Sequence, residues 1–156
     1  MPDAEVRALH GAGVRAVRFN LRRGGALDDA LALRVHRLCG WHAEVYADGA
    51  ALAAHEARLL ALPRVVVDHL GFDPAALPVL LRLVAAGAMV KATGFGRVDL
   101  DVGAALRAVD PSALLFGTDL PGTRARRPFA REDLDLVAEV APSALEANAR
   151  RIYFPA

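Results

Sequence analysis

Five short strand-like runs, each followed by a longer Ala- and Leu-rich run, constrain this chain more than any other feature. The runs are 14–20 (VRAVRFN), 42–47 (HAEVYA), 64–70 (RVVVDHL), 88–94 (AMVKATG) and 114–119 (LLFGTD). Each is rich in residues that fit a pleated sheet and ends at a turn signal. Helical patterns fall near 26–38, 50–61, 75–86 and 101–109, with two more at 131–140 and 143–153. Repeated β-α units imply parallel strands joined by right-handed crossovers, an α/β fold. Two architectures fit: an open doubly wound sheet, or part of a (β/α)8 barrel, which normally needs about 250 residues. A length of 156 residues favours the open sheet.

Side-chain parity favours the barrel. Alternate residues of a strand point to opposite faces. One parity is mainly apolar in every run, and polar groups gather on the other near the C-terminal end: Arg18 and Asn20, Glu44 and Tyr46, Lys91 and Thr93, Asp119. In the third run the same reading groups His69 with Val65 and Val67, and sends Asp68 to the helix layer as a local cap. Strands of an open sheet are covered by helices on both faces and read as near-continuous apolar runs. A ring of polar residues at the C-terminal strand ends is what a barrel presents to its active site.

Local signals support these boundaries. Asp73-Pro74 supplies an N-cap acceptor and a proline for the third helical run, and Ser143-x-x-Glu146 has the spacing of a capping box. Gly40 and Gly87 stand where helices should stop. With 19 basic and 18 acidic residues the chain lacks the charge of a nucleic-acid or anionic-membrane binder, and Arg22-Arg23 and residues 124–127 read as solvated loop charges. The single cysteine, Cys39, excludes a disulfide framework. No apolar stretch is long enough for a membrane span, and the first twelve residues do not form a signal peptide, so a cytoplasmic location is expected.

The segments VRAVRFNL, WHAEVY, VVVDHLG, VKATGFGR and FGTDLP resemble, in order and spacing, the later strands of the amidohydrolase-2 family. That branch includes 2-pyrone-4,6-dicarboxylate lactonases and related metal-dependent hydrolases. The resemblance spans about residues 6–153, including the closing EANARRIY. It implies a partial TIM barrel whose five βα units correspond to strands four to eight, forming one truncated barrel domain over residues 1–156. It also implies a hydrolase acting on a small carboxylated lactone, ester or amide. By that resemblance Asp119 helps activate the attacking water, and His69 polarises the scissile carbonyl or binds metal. Arg18, Tyr46 and Arg97 grip substrate carboxylates, with Asn20 and Lys91 as second contacts. A divalent ion such as zinc, if bound, would be held by His69 and Asp119; no other cofactor is implied.

The residues leave plainer readings open. His69 could be a satisfied core histidine, Asp119 a turn cap and Lys91 a snorkelling rim residue. The family's His-x-His pair has no counterpart in the chain, and two ligands are fewer than a catalytic zinc site uses. A non-catalytic remnant that binds a ligand or partner is the alternative function. Five strands of an eight-stranded barrel would also leave two unpaired edges, from which a homo-oligomer associating through its edges is expected.

Overall fold

A computed structural model describes residues 1–122 and 124–154. It contains five parallel strands in one sheet: β1 (Ala16–Asn20), β2 (His42–Tyr46), β3 (Val65–Val67), β4 (Met89–Thr93) and β5 (Leu114–Gly117). They lie in the order β1-β2-β3-β4-β5, so every crossover joins immediate neighbours. This is the strand order of a barrel segment, and an open doubly wound sheet would reverse order at a switch point.

The helices are α1 (Asp3–Gly11), α2 (Asp29–Cys39), α3 (Gly49–Leu60), α4 (Ala76–Ala85), α5 (Val102–Ala108), α6 (Arg131–Val140) and α7 (Ala147–Tyr153). Three of them start on an aspartate that accepts a backbone N–H: Asp28 from Leu31, Asp48 from Ala51 and Asp101 from Ala104. Gly40 ends α2 in the left-handed conformation (φ 69°), as its position predicts. Asp73 caps the entry to α4 through the Ala75 amide. Among the described residues, no helix is long and apolar enough to cross a membrane.

Two layers of packing divide the sheet. The outward parity, including Phe19, Val45, Val67, Val90 and Leu114, joins Leu52, Leu80, Leu83 and Leu106 from the helices in one large core. The inward parity is apolar only toward the N-terminal ends of the strands, where Val66, Met89 and Leu115 pack on Ile152, Ala149 and Tyr153 of α7. His42 belongs to this lower layer, edge-on to Tyr153, with neither ring nitrogen hydrogen-bonded among the described residues. Burial, ahead of the fields of Lys91 and Arg64, pushes its pKa down to about 4.

Three expectations are corrected. Helix α1 was not foreseen; it is held by Val6, which packs with Val35 and Trp41, while Trp41 donates to His10. The helix expected over 143–153 is broken into a 3-10 turn at Pro142–Leu145 and then α7. No capping box forms, because the Ser143 hydroxyl donates to the Pro111 carbonyl and Asn148 also donates there. The third correction concerns β3, which ends at Val67, three residues short of the expected end, and bears directly on the site.

Candidate active site

Parallel register places Arg18 beside Glu44 on neighbouring strands, and their side chains meet at 3.0 Å. Arg18 Nη2 also reaches Asp68 Oδ2 at 2.5 Å. Lys91 Nζ, from β4, closes the group at 2.5 Å from Glu44 Oε2 and 3.1 Å from Asp68 Oδ1. Two cations and two carboxylates thus alternate around a closed box spanning four strands. Asp68 is only 2% exposed, so its charge is tenable because both cations reach it. Burial works against the charge of Lys91, yet Asp68 and Glu44 outweigh it and its pKa is raised.

Asp68 therefore faces inward, contrary to the parity reading. The correct inward set of the third strand is Val66 and Asp68, since Val65 and Val67 lie in the helix-side core. His69 nevertheless reaches the same face. Its backbone turns left-handed at φ 52°, as do Leu70 at 52° and Phe72 at 71°. These conformations are costly for residues other than glycine and cluster at functional sites. The turn cancels the alternation, so two successive side chains enter one cleft. Leu70 meanwhile drops into the helix-side core, and Gly71 passes so close to Ala76 that a Cβ would lie 2.4 Å from the alanine methyl.

The His69 ring is buried edge-on to Tyr46 and Phe72, with ring centroids 5.9 and 5.1 Å away. Its Nδ1 lies 2.8 Å from the Thr93 hydroxyl. Burial lowers the His69 pKa against the opposing pull of Asp68 and Asp119, which keeps the ring neutral near pH 7. Asp119 follows β5 at φ 59°, and its carboxylate accepts from Nε of Arg97. The segment carrying Arg97 is pinned to the rest of the fold. Arg97 N donates to Gly94 O at 2.7 Å, Asp99 N to Phe72 O at 2.6 Å, and Arg126 N to Gly96 O at 2.7 Å.

These groups open onto two adjoining cavities. The outer, of about 360 Å³, is lined by Arg18, Asn20, Arg23, Tyr46, His69, Arg97, Asp119 and Arg124. The inner, of about 230 Å³, is lined by Arg18, Glu44, Asp68, His69, Lys91, Thr93 and Asp119. All seven residues singled out from the sequence, Arg18, Asn20, Tyr46, His69, Lys91, Arg97 and Asp119, thus line one continuous cleft. Asn20 is exposed at its rim, and Lys91 lies in its floor, bound to Glu44 and Asp68.

The sequence reading missed Asp68, Arg23 and Arg124. Arg23 and Arg124 are exposed, as expected of solvated loop charges, and they also line the mouth of the cleft. Neighbouring arginines of the same runs are also engaged: Arg22 over the Phe72 ring, Arg126 on Val98 O and Arg127 on Asp133. The adjacency of Asp68 and His69 at a strand end followed by Gly71 was the available signal for a turn that shows both side chains.

The donors do not by themselves form a divalent-metal site. Among the described residues no group of three His, Cys, Asp or Glu side chains converges. His69 and Asp119 supply two ligands where a catalytic zinc takes three from protein, and the Arg97 guanidinium occupies the Asp119 carboxylate.

A sheet of neighbouring parallel strands with polar side chains at their C-terminal ends defines a barrel-type α/β protein. The Amidohydrolase family model matches residues 1–154, and the chain belongs to that family. It is 28% identical over 194 aligned positions to a 2-pyrone-4,6-dicarboxylate hydrolase of Comamonas testosteroni, covering 98% of this chain and 63% of that protein. The chain therefore spans less than two thirds of the length of this curated relative. Solved structures share the fold. A probable 2-pyrone-4,6-dicarboxylic acid hydrolase of Acinetobacter baumannii, with citric acid bound, superposes with a TM-score of 0.77 at 21% identity, covering 98% of this chain and 69% of that one. An apo Agrobacterium tumefaciens protein reaches 0.82 at 23% identity, covering 99% and 66%. The five βα units are accordingly part of a TIM barrel.

Proposed function

We propose that this chain carries the hydrolytic cleft of an amidohydrolase acting on a small lactone that bears carboxylates, on the model of its 2-pyrone-4,6-dicarboxylate hydrolase relative. The observation that carries the reading is the charge of the cleft. Five cationic side chains, Arg18, Arg23, Arg97, Arg124 and Lys91, face three carboxylates, Glu44, Asp68 and Asp119. A dianionic ligand would balance that surplus, and planar guanidinium groups match carboxylates edge to edge.

Within this reading Asp119 takes a proton from water as the water oxygen bonds to the lactone carbonyl carbon. The ring C–O bond then breaks, and the leaving oxygen receives that proton. His69 Nδ1 lies 2.8 Å from the Thr93 hydroxyl and 3.3 Å from the Thr93 carbonyl; in the tautomer that accepts from the hydroxyl, neutral His69 carries its hydrogen on Nε2 and donates it to the developing oxyanion. Arg97 and the rim arginines Arg23 and Arg124 hold carboxylates. Arg18, tied to Asp68 and Glu44 and set over the Tyr46 ring at 5.0 Å, shapes the wall between them.

The test is hydrolysis of 2-pyrone-4,6-dicarboxylate by the purified chain, followed as loss of the lactone. Asp119→Asn should lower kcat by about 10²-fold or more. Undiminished turnover by this variant would remove Asp119 from the mechanism. The second reading, a carboxylate-binding module without turnover, is favoured by the Arg97 contact that occupies the proposed base, and would show as binding with no lactone loss.

The sheet edges complete the proposal. Among the described residues, strand β1 pairs only with β2, and β5 only with β4. Beside β1 lies an open groove of about 430 Å³ that includes Val14, Ala16, Tyr153 and Phe154, the last of these 75% exposed. Self-association through these edges would cover backbone groups that are otherwise left to water.

A further inference from the structure

The mechanism above asks two incompatible things of one contact. Arg97 is needed for a substrate carboxylate, and Asp119 is needed as a base, yet in the ligand-free cleft each holds the other. The Asp119 oxygen that accepts from Arg97 Nε has its lone pair engaged there, so it is not open to a proton from water until the guanidinium leaves. We propose that Arg97 is the specificity-determining residue of this site: a carboxylate next to the scissile bond draws its guanidinium off Asp119 and so frees the base. The inference rests on the hydrolase reading above and adds to it a reason for selectivity. A lactone without that carboxylate leaves the base held, so discrimination appears in kcat as well as in KM.

The surroundings suit such an exchange. The backbone at Arg97 is held by the Gly94, Gly96 and Val98 carbonyl contacts to this and the following loop, so only the side chain needs to rotate. The guanidinium touches Asp119 through Nε, and its Nη atoms make no hydrogen bond among the described residues. Both side chains are largely shielded from water, at 15% and 21% exposure, so the contact is not screened as a surface pair would be. Arg18 cannot play this part, as its guanidinium already meets Asp68 and Glu44.

Binding of benzene-1,3-dicarboxylate tests the exchange. This dianion places two carboxylates as a 4,6-substituted pyrone does and has no ester to hydrolyse. Calorimetric titration of wild type, Arg97→Gln, Asp119→Asn and the double variant forms a thermodynamic cycle. Removing the internal competitor should tighten binding by about fivefold or more in Asp119→Asn, and the gain should vanish in the Arg97→Gln background. Unchanged or weaker binding by Asp119→Asn would overturn the proposal while leaving the carboxylate site intact. So would equal tightening in both backgrounds, which would show only the loss of a nearby negative charge. Wild type that fails to bind the dianion would overturn the hydrolase reading together with the proposal. Should either variant lose its cooperative melt, Arg97→Lys and Asp119→Ser carry the same cycle.

Discussion

Gly94 lies against the His69 ring so closely that a Cβ at residue 94 would come 2.6 Å from His69 Nδ1. The same glycine has φ 63° and accepts the Arg97 amide, so it sets both the histidine and the arginine of the cleft. Gly94→Ala should therefore cost about 1 kcal/mol for its backbone and, separately, push the ring off Thr93. An active chain should lose roughly 10²-fold in kcat through the misplaced ring. Gly87→Ala is the control, since Gly87 has φ 97° but nothing within 4 Å of its added Cβ. It should lose only the backbone contribution, melt no lower than Gly94→Ala and keep full activity; equal activity in the two variants would refute a positioning role for Gly94.

Lys91 is the cation common to Glu44 and Asp68 in the floor of the cleft. Lys91→Met leaves its stem volume in place and strands two shielded carboxylates with Arg18 alone. Removing one partner of such a group should cost about 3 kcal/mol in urea unfolding. Adding Glu44→Gln should return part of it, because one of the stranded charges is then gone. A loss below about 1 kcal/mol would mean that the box is solvated and behaves as a surface pair.

His42 predicts an acid-sensitive fold. Its pKa of about 4 in the folded chain lies below the unfolded value of 6.5, so between those values the unfolded chain binds the extra proton. Stability contributed by the neutral ring is full above pH 6.5 and is lost as pH falls toward 4, by about 3 kcal/mol over the window. In His42→Leu that slope should flatten. The variant should also hold its stability at pH 7, because both orphaned ring nitrogens are removed with their desolvation cost. Parallel pH profiles for the two proteins would count against this role.

Open sheet edges make the mass in solution informative. The chain weighs 16.5 kDa, and edge pairing should give a larger, concentration-dependent mass by light scattering after size exclusion. A monomer of that mass with a single cooperative melt would show that the edges are tolerated as they stand.

Much of this structure was legible beforehand because it depends on repeats that are local to the chain. The alternation of strand and helix, the inward parity of β1, β2, β4 and β5, and the glycine stop at Gly40 each follow from a few adjacent residues. That local code placed Arg18, Glu44, Tyr46, Lys91 and Asp119 on the side where they are found. The resemblance of DHLG and GTDLP to one family pointed to the barrel when length alone pointed elsewhere.

The tertiary structure decided what happens where the repeat is interrupted. Period-two alternation holds while the backbone stays extended, and it failed at His69 because Leu70 is drawn into the helix-side core through a left-handed turn. Asp68 was thereby assigned to the wrong face, and its pairing with Lys91 and Arg18 was hidden. Arg23 and Arg124 became cleft residues only when their loops folded over the strand ends, the second held by hydrogen bonds from Arg126 to Gly96 and Val98. Such contacts join segments far apart in sequence, so their energies exist only after the chain has closed on itself. The composition and pattern of this sequence determine which layer each strand face meets; which charges meet inside the cleft is decided by the packing of loops that no local period describes.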